Sequence, residues 1–545
     1  MSESAYNYTH IVVGAGSAGC VVAARIAENL DNRVLLIEAG PDQDALDSTC
    51  SPSRIRNSRR VPMRGQSEFF DPKIDWDLQV HMPGYLQGAS TTMRVPQAKL
   101  LGGGSSINGG TALRNTQNDS REWVEMGNDA WDFESVHDVY QVLEADHVRG
   151  THGPHPIQRA VPRELGSIQA AFLKGAVEVG FKEVIDFNET GTEGAGPSPV
   201  CRVGDQRVSA ADTFIYPRRH WKTLSIMIGA TVDRVSFSRS SSNNDNINRA
   251  TGVILADGRS VEATVEVIIS AGAVLSPAIL QRSGIGPEDL LRQHNISPIV
   301  HLPVGHNLSD HPCIPIVAKP RVGSYSDKDY SVQCQARWSS SMLPGAIDHQ
   351  LVCFSYLYVH ARDPKMAPQR TISGAATGHV AGIGCNLNKP TSSGTTFIQS
   401  RDPNVLPKVT MDYLGTAADQ ASARELVRTG YGVIRSAAMQ SVLETPLGIE
   451  DSTIASNDDL DKFCQAHVTS TYHFSSSCQM ASREKGGVVD QSGRVYGTTG
   501  LRVCDASIIP TVPASNNMWT TMMFAERIGR SVRDEKDVGR EQSGM

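Results

Sequence analysis

The run Gly14-Ala-Gly16-Ser17-Ala18-Gly19 sits between two short apolar stretches, residues 8–13 and Val34-Leu-Leu-Ile-Glu38, and it constrains the fold more than any other feature. An apolar run of strand length, a glycine turn, the helix-like Cys20-Val-Val-Ala-Ala-Arg-Ile-Ala and a second apolar run spell strand, turn, helix, strand. The three glycines serve different ends. One makes a tight turn, one allows close backbone approach to a pyrophosphate, and one permits close contact between helix and strand, with the helix N-terminus facing negative charge. Glu38 ends the second strand about twenty residues on, where a carboxylate accepts hydrogen bonds from a ribose and repels a 2′-phosphate. The glycine pattern alone is weak, and its alternative is a turn that merely packs a helix. With both strands and the acid in place it predicts a dinucleotide site, and not one for NADP.

A chain of 545 residues exceeds what one core usually fills, so two domains, or one elaborate domain with a cap, are expected. Apolar residues at 39% and charged ones at 20% place it among globular proteins. A net charge of −7 gives no footprint for nucleic acid, and the one basic cluster, residues 54–64, lies in a Ser/Pro/Asn loop and reads as solvated. No run has membrane-spanning length. The ten cysteines show no CxxC pair and no metal-ligand spacing, so reduced thiols and no metal site are expected, with Cys20, Cys353 and Cys504 acting as small hydrophobes. Only seven residues, mostly polar, precede the first apolar run, which leaves no room for a secretory signal and predicts a cytoplasmic protein. Oligomeric state is not legible.

A second glycine-rich segment, Gly102-Gly103-Gly104-Ser105-Ser106-Ile107-Asn108-Gly109-Gly110, is too rich in glycine for a helix or strand interior, so its backbone must approach something closely. A flexible loop is the alternative. Glu266-Val-Ile-Ile-Ser270 reads as a buried strand, followed by a helix initiated at Ser276-Pro277 and ended by glycine. The polar tract 238–247 reads as a long hairpin tip. Residues 320–460 are poor in alternating βα units and predict a second, sheet-based domain. After it, Gly500-Leu-Arg-Val-Cys-Asp505 reads as a buried strand and residues 519–533 as a helix. His473, in Thr-Tyr-His-Phe-Ser-Ser, and Asn516, in Pro-Ala-Ser-Asn-Asn, are chemically able residues, but a lone histidine is more often a satisfied core residue.

Together these segments resemble the glucose-methanol-choline (GMC) oxidoreductases, in order from Gly14 to Glu526. The specific matches are both glycine segments, Gly272-Ala-Val-Leu-Ser-Pro with Ser-Gly-Ile-Gly, Pro303-Val-Gly-His-Asn-Leu-Ser-Asp-His311, and Asp505-Ala-Ser-Ile-Ile-Pro. Within the family the motifs are most similar to the 5-hydroxymethylfurfural oxidase, aryl-alcohol oxidase and choline oxidase type. The resemblance implies an α/β protein. A Rossmann-like FAD-binding domain of residues 1–154, 207–312 and 468–545 would interleave with an α+β substrate-binding domain of residues 155–206 and 313–467, built on an antiparallel sheet. It implies that Gly14, Gly16, Ser17, Ala18 and Gly19 form the dinucleotide turn and that Glu38 with Ala39 meets the adenosine ribose. Val232 would meet the adenine through its backbone, and Gly102, Gly103, Ser105, Ser106, Asn108 and Gly109 would lie against flavin and pyrophosphate. Asp505 and Ala506 would line the ribityl chain, and Ala271, Gly272, Asn517 and Thr520 complete the cofactor set. His473 would be the base and Asn516 its partner, in a slot the family fills with His or Asn. Where the family often carries Asn-Pro-Asn, this chain has Asn516-Asn517-Met518. Ile107 stands where some relatives attach FAD through a histidine, so the FAD is expected to be noncovalent.

An alcohol is about as weak an acid as water, ~15.7, and histidine sits near ~6.5, so a free alkoxide formed by His473 would cost roughly 12 kcal/mol. Proton removal must therefore be coupled to hydride transfer to flavin N5, with Asn516 and the His473 imidazolium stabilising the remaining charge. The expected reaction turns a primary alcohol, aromatic or furanic, into an aldehyde, with the electrons passing to O2 to give H2O2 or to another acceptor. The rivals are a non-redox lyase or cyclase on the same fold and an FAD-containing binding protein without turnover. Trp76, Trp338, Tyr356, Tyr358 and Trp519 are candidate pocket walls, and His311 reads as an anchor for an interdomain loop.

Overall fold

The computed structural model describes residues 8–42, 73–83, 92–239, 248–325, 329–359 and 378–535; the basic cluster at 54–64 and the tip of the hairpin at 240–247 lie outside them. The first layer is an eight-stranded sheet. Leu224–Met227, Val34–Ile37, Tyr8–Val13 and Ser260–Ile269 follow one another in parallel, and Leu501–Val503 adds to Ser260–Ile269 from the far end of the chain. Asn248–Leu255 and Val232–Arg239 extend the sheet antiparallel, which is the hairpin read from the sequence. Ile11, Val12, Leu36, Ile268 and Ile269 have no exposure at all. Strands this uniformly apolar are stable only with both faces covered, and helices supply the cover. The helices Ser17–Ile26 and Asn517–Asp534 pack on one another, with Arg25 paired to the buried Glu526 at 2.7 Å. Trp131 stacks on Phe524 with centroids 4.1 Å apart in the same core.

The second layer is a six-stranded, wholly antiparallel sheet in the order Thr469–Ser470, Pro312–Ala318, Gly378–Leu387, His349–Val359, Cys334–Trp338, Gly194–Pro197. Because side chains alternate along a strand, its two faces differ. Ala336, Leu351, Ile383, Cys385, Ile314 and Ile316 form an apolar face beneath the helices Ser167–Glu178 and Ala417–Ile434. The longer helix starts where the Thr416 hydroxyl accepts from Asp419 N–H at 3.1 Å. The opposite face carries a polar row in strict register: Arg337 opposite Gln350, Gln350 opposite Asn386, Asn386 opposite Cys313. That row is turned toward the site described below.

One helix begins earlier than its sequence predicts. It spans Gly272–Arg282, with Pro277 inside it rather than at its first turn. Proline removes the N–H that would bond to the carbonyl four residues back, that of Ala273. The Ser477 hydroxyl donates to this carbonyl at 2.5 Å, replacing the missing bond. The helix can therefore continue through the proline because a segment two hundred residues away, the one carrying His473, completes it.

Candidate active site

Two glycine segments meet at the N-terminus of the helix Ser17–Ile26. Gly14 has φ +95°, and a Cβ there would stand 2.5 Å from the Ser270 carbonyl oxygen; at Gly19 it would stand 1.8 Å from Gly14 O. Both are packing glycines. Gly16 differs, since an added Cβ would meet nothing within 4 Å. The second segment closes on the first: Gly102 N–H donates to Ala15 O at 2.7 Å, and a Cβ on Gly103 would lie 2.6 Å from Gly16 Cα. Gly104 and Gly272 again border open space. Ser17 and Ala18 open the helix, which has neither a side-chain cap nor an acid in its first turn. Uncapped N–H groups facing a space framed by glycine backbone suit a pyrophosphate, so the residues fit a dinucleotide.

Glu38 lies at the edge of this cradle, next to Ala39. Its carboxylate accepts from Ala15 N–H at 2.9 Å and from Gly40 N–H at 2.8 Å, while burial raises its pKa. Ala230 N–H donates to Glu38 O at 2.9 Å, which brings the start of the Val232 strand alongside. Ser105 and Ser106 turn their hydroxyls inward, to Gly102 O and Leu101 O, so their side chains shape the loop rather than face outward. Asn108 accepts from Gly110 N–H and Arg207, each at 2.9 Å, and Gly109 beside it has room for a Cβ. Asp505 accepts from Gly272 N–H and the Ser276 hydroxyl, fixing the start of the helix after Ala271, and leaves Ala506 partly exposed. Thr520 is fully buried, its hydroxyl 3.2 Å from that of Tyr140, and does not reach the cradle surface through that group.

His473 and Asn516, forty-three positions apart, come together: Asn516 Nδ2 lies 3.2 Å from His473 Nε2. The loop that presents His473 is held in a costly shape, with Tyr472 at φ +66° and Ser476 at φ +69°. Several bonds hold it. Asp310 accepts from His473 N–H at 2.8 Å and from the hydroxyls of Ser470 and Tyr413 at 2.5 Å each, Tyr472 N–H donates to the Ser470 hydroxyl, and Asn517 Nδ2 donates to Phe474 O at 3.2 Å. Burial pushes the Asp310 carboxyl up to about 6. The loop bearing Asn516 is clamped as well. Ala514 N–H donates to Asp119 at 3.0 Å, Ala514 O accepts from Arg337, and Lys389 joins Asp119 to Val512 O.

The proton positions follow from the partners. His311 Nε2 lies 2.9 Å from Pro513 O, and a carbonyl only accepts, so this nitrogen carries a proton. Burial first, and the neighbouring His473 second, hold the His311 pKa well below 6.5, so its Nδ1 is bare. That Nδ1 stands 2.9 Å from Nδ1 of His473, which must therefore be the donor. The Thr471 hydroxyl gives its proton to His311 O at 3.0 Å and accepts from the same His473 N–H at 2.9 Å. What is left on His473 Nε2 is a lone pair, facing the Asn516 amide. Burial lowers the His473 pKa to about 4, so the ring is neutral at physiological pH.

His311, read from the sequence as a loop anchor, does tie the Thr471 and Pro513 segments together, and its ring also pairs with His473, which the sequence reading did not foresee. Gln350 was also missed. Its Nε2 donates to Gln335 Oε1 at 2.6 Å and lies 3.4 Å from Asn516 Oδ1. The alternation of polar and apolar residues in Gln333-Cys334-Gln335-Ala336-Arg337 was the available signal, since a polar face on a buried strand needs a reason. Among the candidate walls, Trp519 is in the first core beside Tyr140 and His155, Trp338 packs on Phe181 and His349, and Trp76 covers Lys99. The side chains of Tyr356 and Tyr358 lie outside the described set.

Family models described as GMC oxidoreductase match residues 8–313 and 390–525. An oxygen-dependent choline dehydrogenase of Vibrio vulnificus is 30% identical over 552 residues, covering 96% of this chain and 93% of its own length. One of Cronobacter sakazakii is 31% identical, with 96% and 95% covered. Among solved structures, pyridoxine 4-oxidase from Mesorbium loti superposes with a TM-score of 0.82 at 24% identity, over 97% of this chain and all of that one. A fungal aryl-alcohol oxidase gives 0.74 at 20% identity, over 97% and 99%.

Proposed function

The chain belongs to the GMC oxidoreductase family and is an FAD-dependent oxidoreductase, and from that premise we propose that it oxidises a primary alcohol to an aldehyde with His473 as the base and Asn516 as its partner. The observation that carries the proposal is the bare Nε2 of His473 directed at the Asn516 amide. A base needs a lone pair at the reacting end, and a main-chain carbonyl two hydrogen bonds away supports its being there.

FAD, when bound, supplies the two-electron acceptor for the hydrogen leaving the carbinol carbon. His473 Nε2 takes the hydroxyl proton. Because burial lowers this histidine to about 4, its distance from an alcohol's acidity is wider than for a free imidazole, and a discrete alkoxide is even less accessible. Proton and carbon–hydrogen cleavage are therefore coupled. The single lone pair of His473 Nε2 is met by Asn516 N–H until the alcohol hydroxyl displaces it and donates to Nε2, and the Asn516 amide is then free to donate to the alcohol oxygen as charge develops there. The imidazolium formed on His473 keeps its Nδ1 proton between His311 and Thr471, so the ring does not rotate as it charges. The cradle residues named above would hold the dinucleotide, with Gly16, Gly104 and Gly272 lining it. The binding is noncovalent in this reading, since Ile107 offers no nucleophile.

The alcohol we assign is aromatic or furanic and the acceptor is O2, with H2O2 released. The motif resemblance favours a ring-bearing alcohol, as does the name of the aryl-alcohol oxidase neighbour, and the oxygen-dependent relatives favour O2. The domain boundaries belong to the same reading: residues 1–154, 207–312 and 468–545 for FAD, 155–206 and 313–467 for substrate. The nine free cysteines of the described residues suit a reducing, cytoplasmic setting; no helix among those residues is long and apolar enough to cross a membrane. The test is an alcohol panel followed by anaerobic flavin bleaching and by peroxide release in air. Bleaching without peroxide would replace O2 by another acceptor. No bleaching by any alcohol would remove the proposal.

A further inference from the structure

Three segments far apart in sequence meet at the Asp310 carboxylate. The residue is 1% exposed and stands just before the strand Pro312–Ala318. Its two oxygens have separate duties. Oδ1 accepts from His473 N–H at 2.8 Å, whereas Oδ2 accepts from the hydroxyls of Ser470 and Tyr413, each at 2.5 Å. Ser470 Oγ in turn accepts from Tyr472 N–H at 2.7 Å. One side chain therefore holds both N–H groups of the Tyr472–His473 step, the first through a hydroxyl and the second directly, at the point where Tyr472 has φ +66°. A tyrosine is strained in that region, so the bend persists only while its surroundings enforce it. Tyr413 follows the strand Lys408–Met411 and packs in the second core, so the same carboxylate also ties the base loop to the antiparallel layer.

This pattern suits an ionised carboxylate. All three partners donate, and the two O–H···O contacts have the shortness of charge-assisted bonds. A proton on Oδ2 would have to point at one of the two hydroxyl oxygens and would displace that hydroxyl's own hydrogen from its acceptor. Of the titratable groups around Asp310, His473 and Tyr413 face it from other segments, and His311 and Cys313 are its neighbours in its own. Both histidines are neutral at rest, and burial pushes the Cys313 thiol up to about 12. No cation offsets the charge, so burial pushes the Asp310 carboxyl up to about 6 against the pull of its hydrogen bonds.

Resting on the reading of His473 as the base, we propose that Asp310 is a positioning residue for the oxidation: its ionised carboxylate fixes the Tyr472–His473 bend and so aims His473 Nε2, and its protonation releases the base. Asp310 acts only through His473. On the acid side, activity then ends when Asp310 takes up its proton, before His473 takes up its own, because the first stands at about 6 and the second at about 4.

The test measures anaerobic flavin reduction of the holoenzyme by a competent alcohol from pH 8 downward, separated into limiting rate and apparent Kd. Asp310→Ala removes both acceptors and should lower the limiting rate by roughly 10²-fold, the scale of a misplaced catalytic group, with Kd little changed and flavin content intact. Asp310→Asn keeps a carbonyl oxygen for His473 N–H and gains an amide that donates to the two hydroxyl oxygens, so it is expected to recover much of that loss. Because this amide does not titrate, the acid inflection should move from about 6 in the wild type to lower pH in Asp310→Asn. Tyr413→Phe deletes one bond to the ionised form and should move the inflection upward. A purely structural role would not give these opposite displacements. An inflection at one pH in the wild type, Asp310→Asn and Tyr413→Phe would overturn the proposal, as would a limiting rate in Asp310→Ala close to the wild-type value. If Asp310→Ala fails to fold, the other two variants decide alone. His473→Ala is measured alongside. Impaired reduction there with normal Asp310 variants would sink this inference only, and normal reduction there would remove the reading of His473 and this inference with it.

Discussion

Nδ1 of His311 lies 2.9 Å from Nδ1 of His473, and the carbonyl of Pro513 fixes which of the two nitrogens holds the proton. Replacing His311 by Phe removes the acceptor and frees His473 to adopt either tautomer. Flavin reduction should fall by roughly 10²-fold, within the range of general-base contributions, with flavin content unchanged. Gln retains both functions, since its carbonyl accepts from His473 Nδ1 and its amide donates to Pro513 O. His311→Gln is therefore expected to recover most of the rate that His311→Phe loses. Equal rates in the two variants would show that His311 only fills space.

His473→Ala should lower the flavin-reduction rate by roughly 10²–10⁴-fold and Asn516→Ala by about 10²–10³-fold. Since both act on one transition state, the double variant should lose less than the product of the two. Rapid mixing with a competent alcohol measures all four proteins. Near-normal reduction in His473→Ala at full flavin content would identify another base.

The lowered His473 pKa has a direction in pH. The ring is neutral, and so able to act, down to about pH 4, whereas an unperturbed histidine protonates below ~6.5. The reduction rate over Kd should therefore stay level from pH 8 through 6.5 and decline only at lower pH, with Asp310, held up to about 6, protonating on the way. For His473 alone stability has the same sign, since the unfolded histidine takes up a proton below ~6.5 that the folded one refuses and its contribution weakens folding as pH falls toward 4, whereas Asp310, raised to about 6, takes up its proton earlier in the folded state and acts in the opposite direction below that pH. A kinetic inflection at or above 6.5 would contradict this assignment.

Gly16 and Gly19 are predicted to fail in different ways. A methyl at Gly19 collides with the Gly14 carbonyl, so Gly19→Ala should destabilise the protein itself. A methyl at Gly16 meets no protein atom and enters the cradle. Gly16→Ala should fold normally but carry little flavin, read from the visible absorbance per chain and from flavin released by acid. Full flavin content in Gly16→Ala would place the dinucleotide elsewhere.

Ser477→Ala leaves the Ala273 carbonyl buried and unpaired, at a cost of about 1–3 kcal/mol. Adding Pro277→Ala restores the helical N–H that bonds to it. The double variant should therefore be more stable in urea than Ser477→Ala alone, and a strictly additive pair would refute the replacement bond.

The first layer was legible because its signals are local. The glycine spacing, the uninterrupted apolar strands and Glu38 each depend on neighbours in sequence, and the structure places them together. His473 and Asn516 were legible only through the resemblance, since nothing near either residue indicates the other. His311 and Gln350 escaped because their meaning depends on partners 162 and 166 residues away. Asp310-His311 looks like any turn, and an isolated Gln in a strand looks like surface. The helix start at Gly272 was misplaced for a similar reason: a proline normally marks a beginning, and the hydroxyl that permits it mid-helix comes from Ser477.

The strand Leu501–Val503 pairs with Ser260–Ile269 and extends the parallel sheet begun by Tyr8–Val13. Until that strand docks, the sheet keeps an unfinished edge along Ser260–Ile269. Without it Ile269 and its neighbours have an unoccupied side. The Gly272 N–H bonds Asp505, 233 positions away, so the cradle begun by the first glycine loop depends on a distant segment before it can retain a ligand. A truncation that removes residues 501–545 takes away the strand Leu501–Val503, Asp505 and the helix Asn517–Asp534 together, and is expected to abolish flavin retention rather than trim a tail.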